Sequence, residues 1–451
     1  MSEPTIRNRD ELATTPAATV ALDCLLEGIR AADPAVVVRD RVGVDGTTLR
    51  IDPIAGDTAT YDLDDYEEVL VLGGGNAAGR VAAALEAVLG DRIDGGVVVT
   101  DDPRSTARVT VREGTHPIPS ADNVEGASEI LERAEDAGEG TLILAPITGG
   151  GSALLAAPAR GIDLDDLRAV TDDMLRAGLS IDRINAVRKH LSAIKGGGLA
   201  RVAAPATVVG LLFSDVIGDD ASVIASGPTA PDETTFSDAR AALEEGEISP
   251  PESVARRLER GIDGEVPETA DPASLAGERC RNYVLANGYT AMAAAHDRAA
   301  DAGYDTLILS PWIRGEARDA AAFHAAVAES CLDFGEPVEP PAVVVSGGET
   351  TVTVEGDGRG GPNLEFALAA ALELDVGDPV TVASVDTDGI DGNTEVAGAL
   401  VSSDTVDGGD AARDALERND AYTYLAEGGA TIEMGATGTN VNDLRVIILA
   451  E

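Results

Sequence analysis

Twice in this chain an apolar run meets three consecutive glycines and continues with helical spacing. The first stretch, EEVLVLGGGNAAGRVAAALEAVL, begins at Glu67, and the second, TLILAPITGGGSALLAAP, begins at Thr141. Unbroken apolar runs of this kind read as strands covered on both faces, as in a parallel sheet flanked by helices. Glycine lets the chain leave such a strand and turn straight into a helix, because it tolerates backbone angles closed to other residues. The pattern therefore predicts an α/β fold. Gly73, Gly75 and Ala78 also keep the G-x-G-x-x-G/A spacing, in which amides and the positive helix end face an anion. Gly73, Gly74 and Gly75 are thus candidate nucleotide or substrate contacts, as are Gly149, Gly150, Gly151 and Ser152. A tight strand-to-helix turn explains either loop alone equally well. Two loops at the carboxyl ends of parallel strands, however, would share one crevice of the sheet. A further strand, GVVVT, runs into Asp101 and Asp102, and Asp101 lies 26 residues after Gly75. An acid there could hold a ribose hydroxyl.

The segment NAVRKHLSAIKGGGL, Asn185 to Leu199, stands apart for its cations. Only two of the chain's 33 Lys and Arg residues are lysines, Lys189 and Lys195, and both fall here beside Arg188 and His190. An ammonium is a compact point charge suited to phosphate or carboxylate, and three glycines let a backbone approach a ligand closely. If the segment is helical, Arg188 and Lys195 share one face. A basic helix end with a glycine stop is the plainer alternative. Lys189 and Lys195 are expected to serve function and not folding.

Taken in order, residues 16–32 have helical spacing, Pro34 closes that helix, and short strands are expected at Val36–Val38 and Thr48–Ile51. His116 precedes a proline between turn signals and is a second-rank candidate. The strand TVVGLLF leads to Ser214, Asp215 and Asp219, where an acid suits Mg²⁺, a substrate hydroxyl or a plain turn. SGPTAPDETT, with Ser226, Gly227 and Thr229, reads from composition as a turn. Pro, Gly and acids cluster from 245 to 279, so a boundary is placed near 275. A second α/β unit follows. It contains Glu349 in SGGET, Arg359 and Asn363 in GRGGPNLEFAL, and Asp386, Asp388 and Asp391 in VDTDGIDG. Closely set carboxylates would repel without a cation, which makes Asp388 and Asp391 weak metal candidates. No Walker A pattern, protein-kinase catalytic loop or serine nucleophile elbow is present.

Composition limits the class. A formal charge of −47 arises from acids replacing lysine, and 44% hydrophobic residues in periodic blocks exclude a disordered acidic chain. Self-repulsion of that size is screened only at high ionic strength, as in a cytosolic enzyme of an extreme halophile. The charge argues against nucleic acid and anionic membranes as partners. Cys24, Cys280 and Cys331 are too few and too scattered for a disulfide or zinc framework. With no apolar leader and no membrane-length run, a cytoplasmic location is expected.

NAVRKHLSAIKGGGLA, FSDVIGDDASVIASGPTAPDETT, GGET, GRGGPNLEFAL and the closing GATGTNVNDLRVIIL resemble the glycerate 2-kinase family of the MOFRL type, some members of which were once labelled hydroxypyruvate reductases. The resemblance implies two Rossmann-like three-layer α/β/α domains, 1–275 and 276–451, the last strand free to return to the first domain, with the active site in the cleft between them. It implies ATP and Mg²⁺ as cofactors, D-glycerate as substrate, and 2-phosphoglycerate as product. A homodimer is compatible with it. Arg188, Lys189, Lys195, Ser214, Asp215, Glu349, Asn363, Asp388 and Asp391 become site residues by that route.

Two positions depart from the family. Its first glycine turn commonly reads G-K-A with a catalytic Lys, where this chain has Asn76. Its later G-G-R-N motif reads Gly360, Gly361, Pro362, Asn363 here. Relocation would restore both charges, with Arg80 one helical turn after Asn76 and Arg359 three residues before Pro362. The rivals are an NAD(P)-dependent hydroxypyruvate reductase, built on the first glycine turn and Asp101, and a non-catalytic sugar-acid or nucleotide-binding relative.

Overall fold

A computed structural model describes residues 4–273, 275, 279–375, 377, 379–406 and 409–450. It divides the chain into two compact units. One spans Val37–Leu285, and the other joins the described residues up to Val36 to those from Ala286 on.

In the Val37–Leu285 unit a small antiparallel sheet of β1 (Val42–Asp45), β2 (Thr48–Ile51) and β3 (Ala59–Asp62) precedes the main one. The main sheet uses β4 (Glu68–Gly74), β5 (Gly95–Thr100), β6 (Val109–Glu113), β7 (Thr141–Ile147), β8 (Thr207–Phe213) and β9 (Cys280–Ala286), in the order β6-β5-β4-β7-β8-β9. The strands from β6 through β8 are parallel. β5 and β7 are buried along their whole length, which is why their sequences run apolar without alternation. Strand order reverses between β4 and β7, and both glycine loops leave the sheet there, the crevice expected from two such loops.

The other unit is built differently. β10 (Asp305–Glu316), β11 (Ala342–Thr351), β12 (Val380–Asp386), β13 (Gly398–Ser402), β14 (Thr431–Ile432) and β15 (Asp443–Leu449) form a sheet in the order β10-β11-β15-β12-β13-β14. Only β10 and β11 pair in parallel; β15 runs antiparallel between β11 and β12. The expectation of a second Rossmann-like sheet is therefore corrected to a mixed one. The last strand does not return to the first sheet but lies inside its own. Helices Ala317–Phe334 and Pro362–Glu373 share a core with one face of this sheet. Helix Pro16–Ala31 supplies Leu22, Leu25 and Ile29 to the core on the other face, with Val345, Val446 and Ile448.

The expected division at 275 also shifts. β9 completes the sheet of the Val37–Leu285 unit, so that unit ends about ten residues later. The opening helix, expected in the first domain, packs with the C-terminal residues. Val36–Val38 is not a strand but part of helix Pro34–Arg41. Pro34 starts this helix instead of merely stopping the last one, because proline suits the first helical turn. The Asp33 carboxylate accepts from the amides of Ala35 (2.8 Å) and Val36 (3.3 Å), a capping interaction that overrides the β-preference of three valines.

Candidate functional site

A pocket of about 780 Å³ opens within the Val37–Leu285 unit, beside the second glycine loop. Gly150 and Ser152 from that loop, Arg188 and Lys195 from the lysine segment, and His116 all line it. Its apolar wall includes Ile118, Leu167 and Leu175. Volume and lining suit a small polar anion with room for a larger co-substrate.

The cations reach the pocket by a route the sequence did not show. The helix of the lysine segment runs only over Ile181–His190, so Arg188 and Lys195 do not share a helical face. Lys195 lies on the loop that follows, and its Nζ donates to the Leu155 carbonyl at 3.1 Å. Burial, with the Arg188 guanidinium nearby, pushes the Lys195 ammonium down to about 7. Two cations converging without a carboxylate between them are poised for an anion. Burial raises the Asp215 carboxyl, and His116 works against that rise. A side chain at Gly149 would run into this carboxylate, so glycine there lets the loop close over Asp215.

Lys189 is placed elsewhere. Its Nζ meets Asp232 Oδ1 at 3.1 Å, with side-chain exposures of 6% and 0%. Asp232 also accepts from Thr234 and Thr269 hydroxyls at 2.9 Å each. That carboxylate consumes the charge of Lys189, and the pair ties down the loop after Gly227. The expectation of a catalytic Lys189 is corrected to a structural one. Ser214 likewise closes a local turn, accepting from the Val216 amide and donating to its carbonyl, both at 3.2 Å.

The first glycine loop is knitted to the second and does not form an open anion cradle. The Gly75 amide donates to Val99, that of Asn76 to Gly149 at 2.8 Å, and that of Ala77 to Thr148 Oγ1 at 3.2 Å. Gly73, Gly74 and Gly75 therefore serve the tight turn. The side chain of Asn76 packs directly on Gly150, whose φ of 74° only glycine adopts easily, and the buried Oδ1 of Asn76 has no hydrogen-bond partner among the described residues. Arg80 does not stand in for a charge at Asn76. Its Nε bonds Asp102 Oδ2 at 3.0 Å, and Arg104 binds the same oxygen. We expect Arg80→Ala to change kcat/KM by only a few-fold, since its guanidinium is held on Asp102, with Arg104 still binding that carboxylate. Steady-state kinetics checks this, and a large loss would restore the relocated charge.

In the other unit the expected site residues separate into a buried scaffold and a surface pair. Asn363 is fully buried. Its Nδ2 donates to Asp443 Oδ1 (2.7 Å) and Asp391 Oδ1 (3.2 Å), while its Oδ1 accepts from Ser384 (2.6 Å). Asp391 caps helix Pro362–Glu373, accepting from the amides of Asn363 (3.0 Å) and Leu364 (2.8 Å). Asn363 is thus a positioning residue and Asp391 a cap, which corrects their assignment to ligand and metal. Burial raises Asp391 to about 7. Arg445, which sequence reading passed over, is fully buried opposite Ser346 and Ser384, and binds Asp443 (2.5 Å) and Thr350 (2.7 Å). Arg359 stacks on Tyr422 at 4.5 Å, so it too fails to replace the missing family Arg. Glu349 is exposed at the end of β11, paired in register with Arg314 of β10.

Asp386 and Asp388 remain as carboxylates near the end of β12. Burial first, and for Asp386 the neighbouring Asp388 next, raises both. Among the described residues no group of three or more His, Cys, Asp or Glu is arranged to hold a metal ion. No helix among them is long and apolar enough to cross a membrane.

A parallel α/β sheet with a cation-lined pocket at its switch point defines a small-molecule-binding α/β protein of the phosphoryl- or dinucleotide-handling kind. The chain belongs to the glycerate 2-kinase family. A domain of unknown function, DUF4147, matches residues 20–259, and the MOFRL family matches residues 342–443. The glycerate 2-kinase of Pyrococcus horikoshii is 38% identical over 95% of this chain and 97% of its own. A protein of Agrobacterium vitis bearing a provisional hydroxypyruvate reductase name is 41% identical over 84% of this chain and 87% of its own. The crystal structure of glycerate kinase from Thermotoga maritima superposes with a TM-score of 0.83 at 33% identity, covering 96% of this chain and 99% of that one.

Proposed function

We propose that this chain is an ATP-dependent glycerate 2-kinase, moving the γ-phosphoryl group of ATP to the 2-hydroxyl of D-glycerate. Kinship with named glycerate 2-kinases over nearly the whole chain supports the reading. The observation within the molecule that carries it is the convergence of Arg188 and Lys195 on one pocket with Ser152. Phosphoryl transfer asks for positioned cations more than covalent chemistry. Arg188 and Lys195 hold the glycerate carboxylate, and Asp215, its carboxyl already raised, takes the 2-hydroxyl proton as that oxygen bonds phosphorus and ADP leaves.

Mg²⁺, which such a reaction takes with ATP, would find among the described residues of the unit from Ala286 on only the carboxylates of Asp386 and Asp388 as candidates, each of which also accepts a backbone amide. Two adjacent carboxylates raised by burial gain most from a divalent cation, and Mg²⁺ is commonly held by one or two carboxylates plus substrate phosphates and water. The ion would supply charge neutralisation for the phosphates. The reductase reading, built on the first glycine turn and Asp101, loses support from that turn, where the amides of Gly75, Asn76 and Ala77 are all bonded within the protein and do not face a pyrophosphate.

The test is ADP release with D-glycerate, ATP and Mg²⁺ at molar KCl, with the product identified as the 2-phosphate. NADH oxidation by hydroxypyruvate without any ADP formation would overturn the proposal. Because a charge of −47 is screened over about 10 Å at 0.1 M salt and about 3 Å at 1 M, Tm should rise as KCl goes from tenths molar to molar. A scanning-calorimetry series that stays flat would remove the halophilic part of the reading.

A further inference from the structure

Beside the pocket the backbone holds three successive residues in the left-handed region: Ala225 at φ 52°, Ser226 at 62° and Gly227 at 67°. Two are not glycine, and each such residue costs on the order of 1–3 kcal/mol unless its surroundings enforce it. The surroundings do so here. The Gly196 amide donates to the Ser226 carbonyl at 3.0 Å, and the Gly197 amide to that of Gly227 at 2.7 Å. The turn is thereby bolted to the loop that carries Lys195, and the Ser226 side chain, fully buried, faces Ser152.

The direction of the hydroxyl protons follows from the acceptor at the far end. Ser226 Oγ donates to Asn185 Oδ1 at 3.1 Å. A hydroxyl has one proton, so the 2.8 Å bond between Ser226 and Ser152 must be donated by Ser152. The proton of Ser152 is then pinned away from the pocket. What Ser152 shows the pocket is a lone pair, an acceptor, in a pocket that Arg188 and Lys195 also line. A carboxylate cannot donate to it; an alcohol can.

Resting on the kinase reading, we infer that Ser152 is the specificity-determining residue for the 3-hydroxyl of glycerate, and that Ser226 and Asn185 are positioning residues that fix its polarity. The consequence is discrimination between D-glycerate and D-lactate, which keeps the reacting 2-hydroxyl and lacks the 3-hydroxyl. A site built to bond a substrate hydroxyl rejects the analogue lacking it by about 10⁴-fold, because its polar group is left unpaired.

The experiment measures kcat/KM for both acids in wild type, Ser152→Ala, Ser226→Ala and Ser226→Gly. Ser152→Ala should lose most of its advantage for glycerate while lactate changes far less, collapsing the ratio by about 10²-fold or more. Ser226→Gly is the decisive variant. Glycine accepts φ of 62° without strain, so the turn survives; both readings allow a lowered Tm from the unpaired Asn185, and a merely structural serine predicts the ratio unchanged. The inference predicts a reduced ratio in the folded variant. Equal losses on both acids, or an unchanged ratio in Ser152→Ala and Ser226→Gly, would overturn it. If wild type shows no ATP-dependent turnover the kinase reading fails instead, and the ratio of calorimetric Kd values for the two acids then decides the role of Ser152.

Discussion

Replacing Lys195 by Met should lower kcat/KM for D-glycerate by about 10²–10³-fold while the protein still folds, a loss of roughly 2.7–4 kcal/mol of transition-state stabilisation. Lys195 is buried, has no carboxylate partner among the described residues, and donates to the Leu155 carbonyl at 3.1 Å. Removing it deletes a charge that faces the pocket and relieves the cost of burying that charge. A pH series separates the two effects. With the ammonium pushed down to about 7, the folded site holds the proton below that pH and releases it above. KM for glycerate should therefore rise through and beyond neutrality, and Lys195→Arg, which stays charged, should flatten that rise. The linkage has a definite sign. Between about 7 and the ordinary lysine value the unfolded chain binds a proton that the folded one does not, so wild type gains stability with rising pH across that window. Lys195→Met should lack that gain in matched denaturant titrations. A variant with unaltered kinetics would end its role.

Lys189→Met should do the opposite, sparing chemistry and damaging the fold. It leaves Asp232 buried without its cation, and breaking a buried pair from one side costs about 3–5 kcal/mol. For a unit of this size that is a fall in Tm of about 6–20 °C. Adding Asp232→Asn should return a large part of the loss, since the amide removes the buried charge, keeps one oxygen to accept from the Thr234 hydroxyl and turns its NH2 to donate to Thr269. Calorimetry on the four-member cycle reads the coupling directly. Below the lowered Tm, the single variant should retain kcat/KM within about tenfold of wild type. Additive, small stability changes would contradict the buried pair.

These two lysines show what sequence carries and where it stops. Their scarcity singled out the segment, and the glycines around Gly149 and Gly197 marked tight turns, where Asp215 and the Gly227 carbonyl come close. The sequence could not say that Lys189 faces Asp232, 43 positions on, because that pairing is made by tertiary packing. The same holds for Arg80 on Asp102 and Arg359 on Tyr422, each a cation whose partner lies on another element. Asp391 was misread for a related reason: its crowding with acids was visible, but its role as a helix cap depends on a helix starting at Pro362. The apolar runs of β4, β5, β7 and β8 were plain, since a parallel sheet buried on both faces leaves no alternation. The antiparallel insertion of β15 was not, because an apolar strand carries no mark of its direction. Arg445 could have been noticed as the lone charge inside LRVIIL, a cation in a strand otherwise fit only for a core.

The discontinuous unit has a consequence for how the protein is made. Helix Pro16–Ala31 leaves the ribosome early, yet its packing partners begin only at Ala286, about 250 residues later. At roughly 5–20 residues per second, that is a wait of about 12–50 seconds. Throughout it Leu22, Leu25 and Ile29 have no sheet to cover them. Residues Val37–Leu285 meanwhile bring all their own strands and can close first. The nascent chain thus carries a sticky leading segment past a finished body. Slowing translation after residue 285 should lengthen chaperone association, whereas a circular permutant opening at Val37, with Pro16–Ala31 carried behind Leu449, should shed it.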